Sequence, residues 1–173
     1  MVRAKWAVLG IVGALALAGS GIVAAGALQT GGSDQPIAFP HNTHAGALQI
    51  PCMYCHYSAD VSQDAGIPSV QTCTGCHAPV GNLLFKQDSP ELQKLLKYAQ
   101  EGVPIPWVRI YDLPDYVRFP HMMHINAGLE CQQCHGQVQE MAEIELAQPL
   151  YMGWCIDCHQ EREVRVDCFV CHY

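Results

Sequence analysis

Every cysteine of this 173-residue chain belongs to one repeated pattern: ten cysteines, with five of the nine histidines directly behind them. Two cysteines separated by two residues and followed at once by a histidine occur five times: Cys52, Cys55, His56; Cys73, Cys76, His77; Cys131, Cys134, His135; Cys155, Cys158, His159; and Cys168, Cys171, His172. C-x-x-C-H is the attachment signature of a c-type haem. Its two thiols add to the haem vinyl groups and its histidine reaches the iron as proximal ligand. The spacing follows from the separation of the vinyls and the position of the iron between them. A zinc site or a redox dithiol also uses paired cysteines, but neither needs a histidine at one fixed offset behind every pair. A disulfide framework does not need it either. The pattern predicts five covalently bound haem c groups, no thiol left over, and His56, His77, His135, His159 and His172 as proximal ligands.

The four remaining histidines are not scattered. His41 and His44 follow Phe39-Pro40 ahead of the first motif, and His121 and His124 follow Phe119-Pro120 ahead of the third. The block 39–77 thus repeats as 119–159, and the four histidines are the evident supply of distal iron ligands. Four cannot serve five irons, so the fifth takes another ligand, binds water or stays open. A thioether is the usual substitute and raises the potential. Met53 lies inside a motif, Met122 and Met123 lie between two presumed ligands, and Met1 precedes the apolar run, which leaves Met141 and Met152.

The elements that position these groups must be spare. Five haems in residues 35–173 leave about 28 residues for each, too few for an ordinary aliphatic core. The expected fold is a multihaem cytochrome c: short helices and irregular chain wrapped around a haem core, with little or no sheet. Residues 39–80 form a two-haem block, 81–118 a connector and 119–173 a three-haem block. In the connector Ser89 and Pro90 start a helix whose apolar face is Leu92, Leu95, Leu96 and Ala99, and Gly102 ends it. The stretch from Pro104 to Asp115 reads as an extended surface strand.

Ahead of the haem region, Trp6–Leu28 carries no charge and follows Arg3 and Lys5. As a helix it would run ~35 Å against a hydrocarbon core of ~30 Å, and it is longer than the ~7–15 residues of a signal h-region. Residues 1–34 therefore read as one transmembrane anchor and a flexible tether. The positive end stays in the cytoplasm and the haem domain of 35–173 faces the periplasm of a bacterial inner membrane. Gly10, Ala14 and Ala18 form a ridge of small residues suited to helix contact. The formal charge of −7 and the lack of a basic patch argue against nucleic-acid binding.

The stretch from Phe119 to Tyr173 resembles the class III multihaem cytochromes c in their small three-haem form. By that resemblance the first histidine of each H-x-x-H serves the nearest haem and the second serves the next. It implies His41 with His56, His44 with His77, His121 with His135 and His124 with His159. The family's further histidine falls at Met152, which by analogy pairs with His172. Across the whole chain, Trp107 to Phe119 and Pro149 to Cys155 resemble the pentahaem cytochrome c subunit of bacterial alternative complex III. That resemblance implies an electron-transfer subunit of a membrane quinol-oxidising complex, not catalytic alone and with no small-molecule substrate of its own. Its neighbours would be an iron–sulfur subunit, polytopic quinol-binding subunits and monohaem cytochromes c. Its electrons would go to periplasmic cytochrome c, copper-protein or terminal-oxidase acceptors. The rival readings are a stand-alone membrane-tethered quinol dehydrogenase or shuttle, and a multihaem enzyme with an open fifth iron.

Overall fold

A C-x-x-C-H sequence brings its two thiols to one side by winding a helical turn, so the motifs should dictate where the helices lie. The computed structural model describes residues 35–78 and 88–173. The apolar run, its small-residue ridge and the tether, residues 1–34, lie outside the described residues. Among those described, no helix is long and apolar enough to cross a membrane. The α-helices are α1 (Cys52–Cys55), α2 (Val70–His77), α3 (Pro90–Glu101), α4 (His121–Asn126), α5 (Gln132–His135), α6 (Met152–Glu161) and α7 (Cys168–Cys171). Five of these seven carry or abut a motif. A π-helical turn spans Asn42–Ala47 and a 3-10 turn Val138–Glu140. The described residues hold no sheet, only an isolated bridge between Val117 and His172. The described residues adopt the expected helical, sheet-poor architecture.

Helix α3 is set by its ends. The Ser89 hydroxyl accepts the Leu92 N–H at 3.4 Å, Pro90 occupies the first turn, and Gly102 closes the helix at φ +66°. Leu95 is buried and Leu92 packs beside it, while Ala99 is exposed, so the apolar face is narrower than its sequence pattern. The core around it is small: Ile37, Val70, Leu95 and Ile105, flanked by Cys73, Leu92, Tyr98 and Trp107. It clamps α2, and with it the second motif, onto the connector.

The connector differs from the surface strand expected of it. Residues 103–109 form no strand: the Trp107 N–H turns back to the Ile105 carbonyl at 2.9 Å, Ile105 is buried, and Trp107 packs on the core. The Gln35 side chain pairs with Val108 in both directions, donating to its carbonyl at 2.8 Å and accepting its N–H at 3.0 Å. Ile105 and Trp107 are spent on internal packing, while Val103 and Val108 stay exposed.

The two repeated blocks cross reciprocally. The π-helical turn of the first lies on the chain just behind the third motif: the Asn42 N–H donates to the Met141 carbonyl at 2.8 Å. Gly46 faces the Gln139 carbonyl so closely that a Cβ there would collide with it. In return α4 lies on the chain behind the first motif. There His121 N–H donates to Gln63, Met122 N–H to Ser62 and the Asn126 amide to Asp60, each at 3.0 Å. The C-terminus folds back onto the connector, with the Arg118 N–H on the Cys171 carbonyl at 2.7 Å and the Arg118 guanidinium 4.6 Å above the Tyr173 ring.

Candidate haem-attachment sites

Each site is numbered by its motif in chain order. At three of them the expected ligands face each other. The ring centres of His44 and His77 are 6.0 Å apart, those of His121 and His135 6.3 Å, and those of His124 and His159 6.1 Å. Two imidazoles bound to opposite sides of one ion, with metal–nitrogen bonds of ~2.0 Å, have ring centres about 6 Å apart. The second, third and fourth sites therefore fit a haem iron. At the first site His41 lies within electrostatic reach of His56: burial, then the His56 and His44 charges, holds its pKa below the ordinary value. Burial, then His121 and His56, lowers His135 likewise. Depressed pKa values keep these rings neutral, the form that ligates a metal.

The outer nitrogens show which way the rings are turned. Nδ1 donates to a backbone carbonyl in His44 (Pro40, 2.9 Å), His56 (Gly66, 2.8 Å), His121 (Gln63, 2.9 Å), His124 (Pro120, 2.9 Å) and His159 (Arg165, 2.9 Å). That tautomer leaves the Nε2 lone pair free for iron and makes the ring more basic. His172 makes a longer bond to the Tyr116 carbonyl, 3.3 Å, with the Tyr116 ring stacked at 5.9 Å. The Nδ1 atoms of His41 and His77 are buried without a partner. Phenylalanine orders each H-x-x-H pair. Phe39 stacks on His44 at 4.3 Å and meets His41 edge-on at 4.9 Å. Phe119 does the same to His124 at 4.3 Å and His121 at 5.0 Å.

The cysteines show which motifs are neighbours. Burial raises the thiols of Cys55, Cys73, Cys131, Cys134 and Cys155, and a thiol of an adjacent motif adds to each shift: Cys76 on Cys55, Cys55 on Cys73, Cys52 on Cys131, Cys158 on Cys134 and Cys171 on Cys155. Thiols of the first motif therefore lie near thiols of the second and the third, those of the third near the fourth, and those of the fourth near the fifth. The reciprocal crossing of the blocks accounts for the first–third junction. The shared H-x-x-H turns account for the junctions on either side of it.

The fifth site differs. Met152 opens α6 and is exposed, and among the described residues no second imidazole faces His172. The α6 cysteine Cys155 lies beside Cys171, which sets this helix next to the fifth motif. Met141 sits elsewhere: its carbonyl is held by Asn42 and its methyl lies by Gly136, behind the third motif.

Residues 117–173 match the family of cytochrome c7 and related cytochrome c. The matched stretch is similar to a cytochrome c7-type multihaem domain. Such a domain implies covalently bound haem c. The chain is 28% identical over 167 residues to the multiheme cytochrome c subunit of menaquinone reductase from Nitratidesulfovibrio vulgaris, covering 80% of this chain and 77% of that one. It is 26% identical over 152 residues to the high-molecular-weight cytochrome c of the same organism, covering 73% of this chain but 27% of that protein. The chain is homologous to both.

The sequence reading missed the partners that turn the rings: the carbonyls of Gln63, Gly66 and Arg165, and Tyr111. A backbone carbonyl has no signature in sequence. Tyr111 was visible only as aromatic content in the connector. Its hydroxyl accepts the Ala147 N–H at 2.9 Å and donates to the Glu145 carbonyl at 3.2 Å. Burial raises its pKa, so the phenol keeps its proton.

Proposed function

We propose that the chain is the electron-transfer subunit of a membrane quinone-linked oxidoreductase, carrying five haem c groups. Bound haem c supplies a one-electron ferric–ferrous couple at each motif. The ten motif cysteines hold the groups covalently, and His56, His77, His135, His159 and His172 are the proximal ligands. His41, His44, His121 and His124 are the distal ligands of the first four sites, and Met152 that of the fifth. The carbonyls of Pro40, Gly66, Gln63, Pro120 and Arg165 fix tautomer and ring plane, and so tune each ligand's basicity. The closeness of thiols in neighbouring motifs, second to first, first to third, third to fourth and fourth to fifth, is the observation that most supports a relay. Residues 6–28 anchor it in the inner membrane, with the haem region on the periplasmic side.

The resemblance to alternative complex III favours quinol oxidation, with electrons leaving for a periplasmic cytochrome c, a copper protein or a terminal oxidase. The name of the menaquinone reductase relative favours the opposite direction, delivery to a quinone, through the same ligands. Either way an iron–sulfur subunit and polytopic quinone-binding subunits are the expected neighbours. Isolation from membranes in mild detergent tests the assignment: the chain should co-purify with such subunits. Purification alone in full yield would make it a shuttle. Reduction of the isolated complex by a quinol, against reduction by a reduced soluble cytochrome c, decides the direction. Carbon monoxide binding to the reduced protein, at one haem in the native state, would favour an enzyme with an open fifth iron.

A further inference from the structure

His135 and His56 are counterparts, the proximal histidines of the first motif in each block. His56 is oriented by its hydrogen bond to the Gly66 carbonyl. The His135 ring makes no hydrogen bond among the described residues, yet it lies within 7° of parallel to His121. Its neighbour on the connector side is the Tyr111 ring, centres 4.4 Å apart and planes at 66°. Tyr111 cannot retreat, because its hydroxyl is held at both Glu145 and Ala147. The facing His121 ring is fixed by the Gln63 carbonyl and by the edge contact with Phe119. Rotation of His135 out of its plane would drive it into a ring that is pinned on both sides.

We propose that Tyr111 is a positioning residue that holds the His135 plane parallel to that of His121. The inference rests on the haem reading of the motifs. It matters because the planes of two axial imidazoles select which iron d orbitals they overlap. Parallel planes split the ferric d orbitals and give a rhombic low-spin resonance spectrum. Nearly perpendicular planes leave two of these orbitals close in energy and give a strongly axial spectrum with one large g value. The second site, where His44 and His77 cross at 69°, belongs to the axial kind. The third belongs to the rhombic kind, on account of a residue from the connector rather than from either block.

The test compares the full-length ferric protein with Tyr111→Leu and Tyr111→Phe by electron paramagnetic resonance, with intact mass giving the haem count. Tyr111→Leu should keep five haems, and the rhombic component should lose the intensity of one haem to signals at larger g. Tyr111→Phe keeps the ring but not its anchors, and should broaden the same component without removing it. Unchanged spectra in both variants at five haems overturn the inference. If Tyr111→Leu fails to mature, Tyr111→Phe decides alone: an unchanged spectrum overturns the proposal and a broadened one upholds it. A native protein with fewer than five haems would instead sink the haem reading itself, a separate failure visible in the mass before any spectrum is taken.

Discussion

The blocks beginning at Phe39 and at Phe119 are repeats, yet they agree at one ligand and disagree at the other. The second histidine of each H-x-x-H is held the same way in both. His44 and His124 donate to the carbonyl of the proline four residues earlier, both at 2.9 Å, and stack on the phenylalanine before it, both at 4.3 Å. The first histidine is not. His121 bonds to Gln63 of the other block, whereas the Nδ1 of His41 is buried without a partner. Contacts made within one helical turn are copied with the sequence. Contacts made across the block junction are not, because the two blocks present different backbones to each other, a π-helical turn on one side and an α-helix on the other.

The largest expected effect tests the shared part. His44→Ala and His124→Ala should each convert one haem of five to the high-spin state, at the second and fourth sites respectively, with four low-spin haems retained. Magnetic circular dichroism counts them, and loss of two low-spin haems from either change would break the equivalence. Next comes the difference in ring basicity. The fourth site has both of its imidazoles hydrogen-bonded to carbonyls, while the second has one. More basic ligands stabilise ferric iron, so the fourth site should have the lowest midpoint of the histidine-paired sites. In a redox titration His124→Met should remove that lowest midpoint, and His44→Met should leave it in place.

The junction itself is asymmetric in a way that denaturation can read. Gly46→Val puts a side chain against the Gln139 backbone, which has little freedom to move, and should cost about 1–3 kcal/mol. Asn126→Ala removes one amide bond to the Asp60 carbonyl and should cost about 1 kcal/mol. Equal losses in the two variants, at equal haem content, would mean the crossing is not tight at Gly46. The smallest effect separates the entries to the blocks. The Ala38 N–H donates to the Glu91 carboxylate at 2.7 Å, and Lys94 pairs with that carboxylate at 2.8 Å. The second block is entered through the Arg118 N–H on a backbone carbonyl, which does not titrate. The Lys94 hydrogen bond, then that of Ala38, lowers the Glu91 pKa. Its stabilisation is therefore complete above the ordinary carboxylate range and is lost as pH falls through the lowered value. Glu91→Gln should cost about 0.5 kcal/mol at neutral pH and nothing in strong acid.

Legibility divides along the same line. The five motifs, the H-x-x-H pairs and the capped helix α3 were readable because each is decided by residues within a turn or two of one another. The pairing of His44, His121 and His124 across the irons followed a family resemblance, and the facing rings are consistent with it. Most of the described connector lies at the surface as expected, but Ile105 and Trp107 turn inward, because an apolar residue suits either role and only tertiary packing decides between them. Which motifs are neighbours in space depends on the block crossing, which rests on backbone carbonyls at Gln63, Ser62 and Met141 that leave no trace in side-chain pattern. Met152 as the fifth distal ligand remains a proposal of the resemblance, supported by α6 lying beside the fifth motif and by Met141 lying behind the third. Met152→His should lower the highest midpoint in a redox titration, and Met141→His should not.

The central claim is that all five motifs carry covalent haem. Intact mass spectrometry of the denatured, alkylated chain, matured in a host competent for haem attachment, tests it most directly. The account predicts five haem additions and no alkylated cysteine. Four or fewer additions, with alkylated thiols at the motif that lacks haem, would contradict it.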